Sequence, residues 1–217
     1  MDAYAAIYPA QVIGGPDWLN KDAYIIHGKI PDDLEAALQN MNTQDWHDET
    51  RKMAQSLLAT RFHLQAHFET RILCVYELVP TKGGLKITAV PGPPEHKPGD
   101  PPPHFQSGGP LPPGTSKTRL NSNGLRELNA KAIQMRLLAR IIAIDAGDRP
   151  IVDHTGFTGY FDVTALTWAP LGDATSSAPD APGLQVALQN KLGIKLVPTK
   201  APIEVLVIDQ IGRPSPD

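Results

Sequence analysis

Apolar positions change period along this chain, and the changes mark its elements. Between residues 50 and 60, Met53, Ala54, Leu57 and Leu58 recur at helical spacing. Phe62, Leu64, Ala66 and Phe68 then alternate with polar residues, as in a half-buried strand. Residues 72–79 form an apolar run that predicts a second strand, and the intervening HFETR is short enough for a hairpin. The same order recurs near the C-terminus. Residues 184–192 read as a helix, 194–197 and 203–208 as strands, and PTKAP as the hairpin between them. Residues 57–78 pair with 187–208 at an offset of 130 without a gap. Leu58 then meets Leu188, Phe62 meets Leu192, Leu64 meets Ile194, Val75 meets Val205, and upstream Gln55 meets Gln185. An internal repeat of this kind governs the fold reading.

Upstream parts correspond more weakly. Residues 22–29 (DAYIIHGK) and 159–166 (GYFDVTAL) are both strand-like, and both follow turn-rich stretches, GGPDWLNK and VDHTGFTG. A helix is predicted over 133–146, with Gly147 as its stop. From Leu137 to Ile144 it is apolar nearly all round, which predicts burial on every side. The matching place in the first half is residues 1–8. The first repeat is therefore expected to lack its N-terminal strand and helix. The fold class is α+β: two repeated helix–strand–strand units with antiparallel sheets of about three strands each, helices on one face and a shared core.

Composition adds a divider. Residues 91–115 hold 10 prolines and 5 glycines, a content that excludes a helix or central strand and reads as a linker. The domains are then 1–90, a linker over 91–118, and 119–217. A second polar loop spans 170–182. A formal net charge of -3 gives no nucleic-acid footprint. No apolar run is long enough for a membrane span, and no signal peptide opens these residues. One cysteine, Cys74, excludes an internal disulfide; within ILCVYEL it is expected to be buried and inert.

Candidate chemistry is sparse. His63, Gln65, His67 and Glu69 would share one face of a strand. Two imidazoles and a carboxylate are ligands for zinc or a similar ion, a divalent metal being the only cofactor these residues suggest. Strand residues four apart lie about 13 Å apart, however, so another strand would have to help, and the plainer reading is a solvated sheet face. Asp145, Asp148, Asp153 and Asp162 surround the VDHTGFTGYFD turn and could offer oxygen ligands to calcium, though without EF-hand spacing. The mechanical alternative is that Asp153 and Thr155 bond the turn backbone while Gly156 and Gly159 allow positive φ or close approach. His154 beside Asp153 resembles a base with its orienter, but neighbours in a strand point to opposite faces. No GxSxG, phosphate-binding loop or GxGxxG motif occurs. Trp18 and Trp46 are expected to anchor turns or helix entries. Unpaired sheet edges are surfaces on which a peptide, an envelope protein or a second copy of the chain could pair.

Four segments carry a family resemblance. PIVDHTGFTGYFD resembles an element written RPVVDRTGLTGRYD, and VIGGPDWLNKDAYII resembles a GGPxWL…FDI segment, in an uncharacterised family abundant in soil acidobacteria (DUF3738). LLATRFHLQAHFETRILCVYELV and LQVALQNKLGIKLVPTKAPIEVLVIDQIGRP resemble its helix–strand–strand element and C-terminal signature. The resemblance implies an exported protein, since members are generally exported and some similar domains are joined to membrane metallopeptidases of the β-lactam-sensor type. The repeated unit also resembles modules at the N-termini of secretins and outer-membrane receptors, which bind peptides or envelope proteins. The expectation is an extracytoplasmic (periplasmic or secreted) binding or sensing module. The alternative is a metal-dependent hydrolase of a small ester or lactone, its residues being His63, His67, Glu69, Asp153 and His154, with His63, His67, Asp145, Asp148 and Asp153 as candidate metal ligands. A structural scaffold is a third reading.

Overall fold

The computed structural model describes residues 3–4, 8–26, 28–30, 38, 43–94, 109–147, 149–170 and 181–214, with the side chains of 43–47 left aside. Among these residues there are three α-helices: α1 (Thr43–Phe62), α2 (Met135–Ile142) and α3 (Leu184–Leu192). The strands are β1 (Val12–Gly14), β2 (Gln65–Pro80), β3 (Ala89–Val90), β4 (Thr115–Leu120), β5 (Arg126–Ile133), β6 (Ile151–Asp153), β7 (Tyr160–Trp168) and β8 (Ile194–Gln210). The class is α+β, with sheet orders β1-β8-β2-β6 and β3-β7-β5-β4. No described helix is long and apolar enough to cross a membrane.

Two compact units form, one from the described parts of Met1–Arg71 and Pro202–Asp217, the other from those of Ile72–Pro94 and Pro103–Ala201. In the first, β1 runs parallel to the end of β8, with Val12 opposite Leu206. Gly14 has φ +84, and a Cβ there would stand 3.0 Å from the Ile208 carbonyl oxygen, so the pairing needs glycine. Trp18, in a 3-10 turn over Asp17–Asn20, meets Tyr24 edge-on, and Tyr24 meets Phe62. Arg213 lies over the Trp18 ring and pairs with Asp22 at 2.8 Å. Trp18 is thus the turn anchor expected; the Trp46 side chain lies outside the described residues.

The second unit is built on the antiparallel sheet β3-β7-β5-β4. Leu128 and Ala130 of β5 and Phe161, Val163, Leu166 and Trp168 of β7 are buried, as are Met135, Leu138 and Ile142 of α2 and Ala187, Leu188 and Leu192 of α3. Two bulges interrupt the β5–β7 register. They coincide with Ala132 and Ala165, which adopt φ of 46° and 47°. Each strained amide is met by a side chain: Ala132 donates to Asp162 Oδ1 at 2.8 Å, and Ala165 to Asn129 Oδ1 at 2.9 Å. A tight turn joins β4 to β5, where Asn121 Oδ1 accepts from Asn123 and Leu125 and Gly124 supplies φ 72°.

Several expectations need correction. Each predicted hairpin is instead one long strand, β2 of 16 residues and β8 of 17. HFETR holds no glycine, proline, asparagine or aspartate to turn the chain. In PTKAP, Pro198 and Pro202 are four apart, so both missing donors fall on one edge of the strand and its other edge can keep a ladder. Phe62 does not open a strand but closes α1, and His63 follows in the left-handed conformation (φ 52°). Gly193 ends α3 in the same way (φ 67°). The described residues of 22–29 form no strand; Ile25 is 86% exposed. The helix expected from Ile133 begins at Met135, because Ile133 still belongs to β5.

Candidate functional site

The expected site residues fall into two sets, each placed by its own unit. In the first unit His63 sits in the α1–β2 connection and not on the strand, so it leaves the row of Gln65, His67 and Glu69. His67 Nδ1 lies 2.9 Å from Asp209 of β8. Glu69 accepts from Arg71 at 2.9 Å, and that guanidinium, on an exposed surface, holds the Glu69 carboxyl below its usual range, with His67 adding a smaller pull. Gln65, His67 and Glu69 thus lie exposed, with His67 hydrogen-bonded to Asp209 and Glu69 ion-paired to Arg71.

In the second unit every described acidic candidate holds a partner of its own. Asp153 Oδ1 accepts from the Thr155 amide at 2.9 Å and hydroxyl at 2.6 Å, and the Phe157 amide donates to Thr155 Oγ1. Gly156 takes φ +72, and a Cβ on Gly159 would crowd the Phe157 ring at 3.2 Å. This is the mechanical turn foreseen for the motif. His154 Nδ1 faces Glu77 of β2 at 3.3 Å, not Asp153. Asp162 pairs with Lys131 and takes the Ala132 amide; the Lys131 bond first, then that amide, hold its carboxyl below the ordinary value. Asp145 is buried against Arg126, with Nε 3.0 Å from Oδ1 and 2.9 Å from Oδ2. Asp148 lies outside the described residues. Among the described residues no group of three or more His, Cys, Asp or Glu side chains is placed to hold a metal ion. Cys74 is exposed on β2, contrary to expectation, while Val75 beside it on the opposite face is fully buried.

A different feature of the second unit concentrates unsatisfied surface. Helix α2 carries two apolar stripes. Met135, Leu138, Ala139 and Ile142 face the core. Leu137, Ile141 and Ile144, at i, i+4 and i+7, form the other, with Arg140 in the same row. Leu137 and Ile141 are only half-buried, and Ile144, in the 3-10 turn that continues the helix, is 67% exposed. The expectation that this helix is buried all round therefore fails on this stripe, because the sheet ends beside it. Among the described residues that end is β4, the edge strand of the sheet, paired with β5 alone. The two elements flank a cleft of about 280 Å³ lined by Thr118, Arg126, Leu137, Arg140, Ile141, Ile144 and Asp145.

Strand register decides which side chains reach it. Thr118 is opposite buried Leu128, and Leu120 opposite Arg126, so both project to the helix side, while Lys117 and Arg119 project to the other face. Arg119 there is held by Glu127 at 2.8 Å. In the cleft Asp145 engages Arg126 through Nε, leaving the Nη donors of that fork uncommitted. Arg140 is exposed and makes no ion pair among the described residues. Sequence reasoning did not reach Arg126, Arg140 or this cleft; its available signal was an all-round apolar helix interrupted by one arginine.

A family model described as "Protein of unknown function (DUF3738)" matches residues 1–211. The chain belongs to DUF3738. No curated protein and no solved structure matches it. In this DUF3738 chain the cleft combines a strand edge that is open among the described residues, an apolar wall and a surplus of guanidinium, whereas the histidines and carboxylates singled out by motif are mostly tied to neighbours.

Proposed function

We propose that this DUF3738 chain is a non-enzymatic binding module that takes an extended polypeptide segment as an added strand on β4. The observation that carries the reading is the half-open apolar stripe of α2 lining one cleft with Thr118 of β4, a strand whose outer edge is unpaired among the described residues. An added strand would satisfy the outward amides and carbonyls of β4, and its alternate side chains would enter the cleft. Lys117 and Arg119 alone would be explained as charges that deter edge pairing. They do not account for Leu137, Ile141 and Ile144, apolar side chains kept half in water beside the edge. The extracytoplasmic setting, and an envelope protein as source of the segment, rest on the family resemblance. No specific observation favours the hydrolase reading.

The test is hydrogen–deuterium exchange on the whole chain with a neutral nonapeptide that alternates threonine with Val, Val, Gln, Val. Slowed exchange confined to the amides of Thr115–Leu120 and the rim of α2 supports the reading. Unchanged β4 amides at high peptide concentration, or protection elsewhere alone, would overturn it.

A further inference from the structure

The cleft has a charge preference as well as a shape, and this step rests on the reading of β4 as the docking edge. We infer that the segment bound there is acidic, and that one of its inward-facing carboxylates pairs with Arg140. Among the described residues, Lys117 and Arg119 stand on one face of the edge strand and Arg126 and Arg140 in the cleft, while Lys131, opposite Thr115, is paired with Asp162. Two further anions answer the others, Glu127 on Arg119 and Asp145 on Arg126. Among the described residues Arg140 and Lys117 have no acid of their own. A guanidinium presents a planar fork that matches a carboxylate in two parallel bonds. Arg140 holds that fork at the rim of an apolar wall made by Leu137, Ile141 and Ile144. A docked strand would exclude water there in part, and a charge-assisted bond would then be worth more than in bulk solvent.

The Arg126–Asp145 pair sharpens the preference. Asp145 and Arg126 neutralise each other as a close pair, so the pair adds little net field and Arg140 is the uncompensated cation of the cleft. The open Nη groups of Arg126 offer further donors in the same cleft. An incoming glutamate therefore meets donors, and an incoming lysine meets the uncompensated Arg140. Along the segment the pattern is apolar side chains at alternate positions with an acid taking the place of one of them. On the opposite face Lys117 favours a second acid but is screened by open water.

The experiment uses three fluorescein-labelled nonapeptides that differ at one inward position: threonine at odd positions and Val, Val, X, Val at even ones, with X as Glu, Gln or Lys. Binding to the whole chain is followed by anisotropy, and the place of binding by exchange at β4. The Glu peptide is expected to bind about tenfold more tightly than the Gln peptide, and the Lys peptide more weakly than either. Arg140→Gln should remove the Glu-over-Gln preference, while Arg140→Lys should keep part of it. Arg140 is exposed and unpaired among the described residues, so these variants are expected to unfold at the wild-type denaturant midpoint, which is measured alongside. Equal binding of all three peptides at β4 would overturn the acidic preference and leave the strand-docking reading standing. A Glu preference that survives Arg140→Gln would overturn the role of Arg140. Failure of every peptide to protect β4 would overturn both.

Discussion

A thiol in an apolar strand is expected to hide, yet Cys74 is exposed while Val75 beside it is fully buried. Alternation in β2 sends the two to opposite faces, and only the Val75 side is covered at that point. Ellman's reagent should therefore react with about one thiol in the native protein without denaturant; protection until unfolding would contradict the exposed face. Asp162 makes the second prediction at this scale. Its carboxyl is held below the ordinary value by Lys131 and then by the Ala132 amide. A depressed folded value means the carboxylate form is the stabilising one. Its contribution is complete above the unfolded value of about 3.9 and disappears as pH falls through the lower folded value. Both side chains of the pair are partly exposed, so the effect is about 0.5–1 kcal/mol. Asp162→Asn keeps an acceptor for the amide but loses the charge. Urea midpoints of the two proteins should differ at pH 6 and converge towards pH 2; a gap that widens on acidification would reverse the assignment.

Helix α2 carries the element-scale argument, because its two stripes should respond oppositely to truncation. Ile142 is fully buried, and Ile142→Ala removes packed atoms and leaves a cavity, at a cost of about 2–4 kcal/mol. Ile144 is 67% exposed, and Ile144→Ser should change stability by less than about 0.5 kcal/mol while weakening peptide binding at β4. Denaturant midpoints and anisotropy separate the two, and a large stability loss in Ile144→Ser would make that stripe part of the core. The same helix shows what was legible in the sequence. Its period, its Gly147 stop and the span of α3 were readable, since caps and spacing are local. So was the Asp153–Thr155 turn, whose bonds join residues two apart. What the pattern could not say is how many neighbours surround α2. That depends on β4 being the last strand of its sheet, a pairing decided by long-range contacts. The single strands β2 and β8 were missed for a related reason. HFETR and PTKAP interrupt alternation as turns do, but long strands tolerate such interruptions when a partner strand runs alongside. The partner is β8 for β2: His67 meets Asp209 near one end, and the Thr81 amide bonds Gly193 O at the other.

At the scale of the whole molecule, the proposed ligand and the protein carry charge of the same sign. The chain has a formal net charge of -3, while the cleft is locally cationic. Over separations beyond the Debye length, about 8–10 Å near physiological salt, the two contributions oppose each other and are both screened. The acidic peptide is therefore not steered from afar, and the attraction acts only after the strand has docked and a carboxylate has reached Arg140. That separates the two rate constants. Steering shows in association, whereas a short, partly desolvated pair shows in dissociation. Raising sodium chloride from about 20 to about 500 mM should leave the association rate of the Glu peptide within about twofold and speed its dissociation by roughly threefold to tenfold. The Gln peptide should show little change in either rate. Stopped-flow anisotropy reads both. If salt instead slows association of the Glu peptide by an order of magnitude and spares dissociation, the recognition comes from a broad basic field and not from one guanidinium beside an open strand edge.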